Sequence, residues 1–348
     1  MEGAEVEEAL KVLDASLSHI KWRLKSSSKR RLQIGPFRSL LFYCVREPSL
    51  LSMEIATNVL ALCYEMRPVV MIDYGGKMPE LQENLCAFLE HGQKVSHIFE
   101  QLRVMVIEDM IYLIHVKEMA KYVSSSLSSE MELLFVDLNQ DPPKMTTLDD
   151  KNLLGMQLMS IQKLFSLYFP LEGVRNDLLP PDRVELQADS KSLSEPINTR
   201  SSLLMDLSSC MHDTEVTVPT INGWLLGYPV VYLFRKDHIG DAIYNLSTKF
   251  LRIYKILVSR ESDWRKHVPQ YLSVSAKMNY MKSTSNKGSH PEELMSFSVP
   301  YELSMRGSNE PWAESFLARL QSKWGRCKQT WSSLEMEVTE CYPQAIAL

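Results

Sequence analysis

Two aspartates each close a short, almost wholly apolar run: Asp73 ends Val69-Val70-Met71-Ile72-Asp73, and Asp137 ends Leu133-Leu134-Phe135-Val136-Asp137. Runs too short for a helix and bounded by turn residues read as buried strands. In open α/β sheets, ligands bind outside the carboxyl ends of parallel strands, so two carboxylates placed there suit a divalent cation or a phosphate-bearing substrate. Tyr74-Gly75-Gly76-Lys77 follows the first of them. Gly75 and Gly76 permit a nest of backbone N–H groups, and Lys77 adds a cation ahead of a helix beginning near Pro79. Turn chemistry competes with this reading and has the better claim: an aspartate caps local N–H groups, and paired glycines serve a tight turn.

Other chemistry is thinner. Cys210 and His212 stand two residues apart, a spacing that does not bring side chains together on a helix. His97 and His115 flank apolar runs, where a histidine is more often a satisfied structural group than a ligand. The patterns GxSxG, GxxxxGK[ST], HExxH and GxGxxG and the EF-hand loop are missing from the sequence, so no cofactor is indicated. Six cysteines are scattered with no CxxC pair. This reads as reduced thiols and no metal centre.

The remaining composition is that of an ordinary globular chain. Of 348 residues, 45% are hydrophobic and 23% charged, and 38 Lys+Arg against 43 Asp+Glu leave a net charge of −5. Such a balance offers no global attraction to nucleic acid. Lys21, Arg23, Lys25, Lys29, Arg30 and Arg31 crowd together, but basic residues also favour the last turn of a helix. No apolar stretch approaches the length of a membrane span, and the first residues are acidic rather than leader-like. The expected setting is the cytoplasm, with the nucleus as the alternative. The expected partner class is protein, not membrane or nucleic acid.

These residues must be held by an alternation of elements. Val6, Leu10, Leu13, Leu17, Ile20 and Leu24 recur at spacings of three and four, an amphipathic opening helix. Further helices are expected from Gly35 to Arg46 and from an N-cap at Ser52 through Glu65. Others follow from Pro79 to Glu90, from Val116 to Val123, from Leu148 to Phe169 and from Pro311 onward. Val104–Ile107 and Ile111–Ile114 read as a hairpin whose turn, Glu108-Asp109, lacks glycine. Strands are expected near Tyr228–Phe234, Phe250–Val258, Leu294–Val299 and Leu334–Val338. Together these predict an α/β (or α+β) fold: one domain over 31–348 on a single mixed sheet, preceded by an N-terminal segment over 1–30. A polar, proline-punctuated stretch over 172–218 reads as a disordered insertion in which only Leu203–Cys210 looks helical. The apolar tail Ile346-Ala347-Leu348 reads either as a strand-like ligand for a PDZ-type partner or, preferably, as a segment buried in the protein's own core.

Three segments carry a resemblance: Gly223-Trp224-Leu225-Leu226-Gly227-Tyr228-Pro229-Val230-Val231-Tyr232, Ser296-Phe297-Ser298-Val299-Pro300 and the tail Ala345–Leu348. Together they resemble the vertebrate family that includes the human chromosome 1 open reading frame 74 product. The likeness runs from about the second helix to the C-terminus. That family brings no assigned activity, cofactor or catalytic motif, so the resemblance implies no mechanism. The leading expectation is a non-catalytic interaction protein. The alternative is a metal- or phosphate-dependent enzyme using Asp73 and Asp137.

Overall fold

A computed structural model describes residues 48–73, 78–127, 133–147, 153–171, 203–260 and 291–346. The opening helix, the helix expected from Gly35, and Gly75, Gly76 and Lys77 lie outside them.

The protein has an α/β fold in which seven helices are described: α1 Pro48–Cys63, α2 Glu80–Val95, α3 Val116–Ser125, α4 Leu153–Tyr168, α5 Val218–Leu225, α6 Ile239–Ser247 and α7 Pro311–Trp324. The strands are β1 Val69–Met71, β2 Leu102–Ile107, β3 Met110–His115, β4 Leu134–Asp137, β5 Lys144–Thr146, β6 Leu204–Asp206, β7 Val230–Leu233, β8 Leu251–Ser259, β9 Glu292–Pro300 and β10 Ser333–Cys341. They form three sheets where one was expected. The first, in order β1-β3-β2-β6, and the second, β5-β4-β7, are mixed; the third, β10-β8-β9, is antiparallel.

Side-chain alternation explains the layering. In β2, Val104 and Val106 enter one apolar cluster while Met105 and Ile107 enter another, and in β3 Leu113 and Tyr112 divide the same way. β4 repeats the pattern with Val136 and Phe135. Successive strand residues face opposite sides, so both mixed sheets are wet on neither face, which is why their strands read as continuous apolar runs. The first cluster is closed by α1, α2, α7 and the antiparallel sheet; the second is closed by α3, α4 and α5.

The hairpin forms as expected, and its glycine-free turn has a local remedy. Glu108 takes φ +54, and its N–H donates to Ser208 Oγ at 2.8 Å. Gly227 is a true requirement: at φ +74 it ends α5, its N–H bonding Trp224 O and that of Tyr228 bonding Gly223 O.

The insertion expected over 172–218 is corrected in its second half. Residues 172–202 lie outside the described set, but β6 pairs in parallel with β2, Ser208–Met211 forms a 3₁₀ turn, and Cys210, Met211 and Val216 are buried. Leu203–Cys210 is therefore strand and turn, not helix. Helix α1 begins at Pro48, ahead of the expected cap at Ser52, and α6 was not expected at all. Ile346 packs against the first cluster, in keeping with the buried reading of the tail; Ala347 and Leu348 lie outside the described residues.

The first cluster is densest where the antiparallel sheet meets α7. Phe297 stacks on Tyr254 at 5.2 Å and meets the edge of Phe316 at 5.7 Å, with Trp312 packed beside both. Truncating so central a ring removes its transfer free energy and leaves a cavity. Phe297→Ala should lower unfolding stability by about 3–5 kcal/mol in urea titrations, without changing the identity of the folded state at low denaturant.

Candidate functional site

Asp137 closes β4 and stands opposite Leu233 at the carboxyl end of the parallel β4–β7 pair. Its carboxylate is engaged locally. Oδ1 accepts the Asn139 N–H and side-chain amide, both at 3.0 Å, and Oδ2 accepts Gln140 Nε2 at 2.6 Å. Asp73 follows β1, in the other mixed sheet, and is exposed. It acts electrostatically on the hydroxyl of Tyr228, which precedes the start of β7. Asp73 thus follows a strand of the first mixed sheet, whereas Asp137 ends a strand of the second. Gly75, Gly76 and Lys77 lie outside the described residues.

A third strand-end aspartate escaped the sequence reading. Asp206 ends β6 and accepts both the N–H and the hydroxyl of Ser208, at 2.9 and 2.6 Å, which hold its carboxyl below the usual range. Asp137 and Asp206 share one device, a side chain satisfying the backbone as the chain leaves a buried strand.

Cys210 is buried, and burial pushes its thiol up, whereas His212 is exposed. A protonated, enclosed thiol is a poor nucleophile. His97 is exposed. Tyr228 is half-buried, its phenol pushed up by burial with Asp73 and Glu293 adding to the shift, and its ring lies 5.4 Å from Phe297. Among the described residues no group of three or more His, Cys, Asp or Glu side chains is arranged to hold a metal ion.

The densest charged constellation was not foreseen, because its members are distant in sequence. His115, at the end of β3, caps α3 by accepting the Glu118 N–H at Nδ1. Buried Glu118 bonds Lys121 at 2.6 Å and Lys323, from the end of α7, at 3.4 Å. Glu65, just past α1, reaches Lys121 at 4.0 Å and Arg326 at 3.3 Å. Burial works to raise the Glu118 carboxyl, but the Lys121 bond and the Lys323 charge outweigh it, so the group stays ionised. Burial holds His115 below its ordinary value, and Cys327, nearby, is pushed up to about 11. Carboxylate, neutral imidazole and protonated thiol are each fixed in one state, which suits tying three segments together rather than moving a proton.

A second knot joins α1 to the antiparallel sheet. Arg260 donates to Glu292 at 2.9 Å and to Thr57 at 2.8 Å, and the Thr57 hydroxyl also bonds Glu292. Arg67 meanwhile donates to Leu294 O at 2.8 Å.

One surface is chemically unlike these knots. Helix α4 buries Leu154, Leu158, Ile161 and Phe165 in the second cluster, with Phe165 edge-on to Trp224 at 5.5 Å. Leu153, Met156, Leu164, Leu167 and Tyr168, continued by Leu171 past the helix end, remain between 38 and 57% exposed. Residues 153, 156, 164 and 167 fall on one side of a 3.6-residue helix, well away from the buried stripe. This helix therefore carries two apolar faces and only one is covered within the fold. Lys163 is its single charged residue.

A family model described as a domain of unknown function, DUF4504, matches residues 44–281 and 271–348. No curated protein and no solved structure matches the chain.

The charged knot makes a signed prediction. His115 binds a proton less readily folded than unfolded, so its contribution is intact above the unfolded value of about 6.5 and is lost as pH falls below it. Glu118, held below its ordinary value, stabilises above the unfolded carboxyl range and loses that contribution as pH drops through the folded value. His115→Asn, which keeps a capping acceptor, should flatten the decline of melting temperature below about pH 6.5. Glu118→Gln should lower stability at neutral pH by about 1–3 kcal/mol.

Proposed function

The chain belongs to the DUF4504 family, and we propose that it works as an interaction protein whose docking surface is the outer face of α4. One observation carries this reading: five large apolar side chains of α4, Leu153, Met156, Leu164, Leu167 and Tyr168, are exposed on the side of the helix away from its buried stripe, and no described residue buries them. Contiguous wet apolar surface is costly to maintain and marks places where another element binds. The rest of the molecule supports it, since Asp137, Asp206, His115, Glu118 and Glu65 are committed to turns, a cap and ion pairs. We place the chain in the same family as the human chromosome 1 open reading frame 74 product, because Gly223–Tyr232 and Ser296–Pro300, which carry that resemblance, fall inside the matched residues. No described helix is long and apolar enough to cross a membrane, and we assign the protein to the cytoplasm with a protein partner.

The rival reading, a metal- or phosphate-dependent enzyme built on Asp73 and Asp137, predicts a different response. It requires that magnesium, manganese or inorganic phosphate raise the melting temperature of the wild-type protein, and that Asp73→Asn or Asp137→Asn abolish the rise. The interaction reading instead predicts that Leu164→Asp with Leu167→Asp lowers stability only modestly, by about 1–2 kcal/mol, because both side chains are about two-fifths exposed. The same double variant should lose a binding partner that can be reconstituted with the wild-type chain from purified components. Retention of every partner by a folded double variant would refute the assignment of the surface.

A further inference from the structure

We infer that the outer edge of β10 is a docking site for an extended peptide in which basic and apolar residues alternate, taken up as a further strand of the antiparallel sheet. The site borders the first cluster and does not depend on the reading of α4, which closes the second.

The two edges of that sheet are finished differently. On β9 outward carbonyls are taken by side chains of the fold, Leu294 O by Arg67 at 2.8 Å and Ser298 O by the Tyr232 hydroxyl at 2.9 Å. β10 pairs with β8 at every position from Ser333 to Cys341, and no described strand lies on its other side. The bond from the Tyr301 N–H to Phe250 O decides which of its backbone groups are open. It turns the even-numbered residues of β8 toward β9, so the odd-numbered ones face β10, where their partners include Glu335, Glu337 and Thr339. The N–H and C=O groups of Leu334, Met336, Val338 and Glu340 therefore point out of the sheet.

Folds blunt such an edge with a lysine, a proline, a bulge or a short strand. β10 has nine residues with neither lysine nor proline, and the bulge of this sheet falls between β8 and β9. What the edge carries is charge of one sign. Glu335, Glu337 and Glu340 are exposed, and Arg252 reaches Glu340 at 3.5 Å. Lys255, directly opposite Glu337, turns instead to Glu293 at 3.7 Å. No described cation pairs with Glu335 or Glu337. A strand laid along this edge meets those two carboxylates on one face, which Lys or Arg side chains complement. On its other face it meets Met336 and Val338, half-buried at the rim of the first cluster, which apolar side chains would cover.

Charge also selects against a second copy. Two β10 strands paired antiparallel about Met336 set Glu335 opposite Glu337, and pairing about Glu337 sets that residue opposite its own copy. Like charges directly opposite destabilise a ladder, so the edge repels itself and accepts a basic strand.

The experiment uses the full chain and a fluorescein-labelled peptide of about eight residues in which lysine and valine alternate, followed by fluorescence anisotropy. The wild-type chain should bind it about tenfold or more tightly than a glutamate–valine peptide, or than a peptide with the same lysines and valines in separate blocks. Glu335→Lys with Glu337→Lys, at exposed positions, should invert the preference between the lysine and glutamate peptides. Met336→Pro removes an outward N–H while leaving the β10–β8 bonds in place, and should abolish binding by a chain that still melts cooperatively. Methylating every backbone nitrogen of the peptide should abolish binding to the wild-type chain in the same way, whatever the stability of the proline variant. Equal binding of the alternating and block peptides, unchanged by the Glu335/Glu337 substitutions, overturns the inference in favour of diffuse attraction to an acidic chain. Sedimentation showing a dimer that Met336→Pro dissolves overturns it in favour of a second copy. Absence of binding by the alternating peptide overturns it outright, and none of these outcomes bears on α4.

Discussion

Burial of the two mixed sheets on both faces is the constraint from which the other features follow. With β2, β3, β4 and β7 sending alternate side chains into two separate clusters, no strand face is left to solvent and the strands consist of apolar residues almost throughout. Polar chemistry is pushed to the strand ends. There the backbone leaves the ladder, and its N–H groups need partners before they meet water. Asp137 and Asp206 supply them from one side chain each, and His115 does the same where β3 runs straight into α3. Groups that invite a catalytic reading are thereby engaged in closing the sheets.

The same economy explains the charged knots. Three segments that do not share a sheet, the end of α1, the start of α3 and the end of α7, meet around Glu65 and Glu118. A buried carboxylate is tolerated only with cations and hydrogen bonds close by, so Glu118 accepts Lys121 and Lys323 together. The Arg260–Glu292–Thr57 knot plays the corresponding part between α1 and the antiparallel sheet, and it joins the two chain positions that bracket residues 261–290. Such pairs add orientation more than raw stability, because much of the attraction offsets the loss of hydration. The apolar packing of Tyr254, Phe297, Trp312 and Phe316 is where large stabilisation resides.

Against that background the outer face of α4 is the anomaly. Helix α7 buries Trp312, Ala313, Phe316 and Leu320, whereas α6 leaves Ile239 and Tyr244 exposed and α2 leaves Val95 exposed. Helix α4 spends half of its apolar residues outward. The wet side chains Leu153, Met156, Leu164, Leu167 and Tyr168 lie on the side of the helix away from the buried Leu154, Leu158, Ile161 and Phe165.

Short-range physics made much of the fold legible. Period-two and period-3.6 patterns located β2, β3, β8, β9, β10, α2, α3, α4 and α7, because side-chain direction repeats with the backbone whatever the surroundings. Proline at the start of α7 and glycine after α5 were readable for the same reason: each fixes a local dihedral. Asp137 was legible as a capping group, since that role needs only the next three residues. Partnership was decided by tertiary structure. Whether Asp73 and Asp137 belong to one sheet, whether Leu204–Asp206 is strand or helix, which glutamate meets which lysine, and which face of α4 stays wet all depend on contacts between residues tens to hundreds of positions apart. Sequence spacing carries no information about them, because the same apolar residue is equally at home on either side of a buried layer.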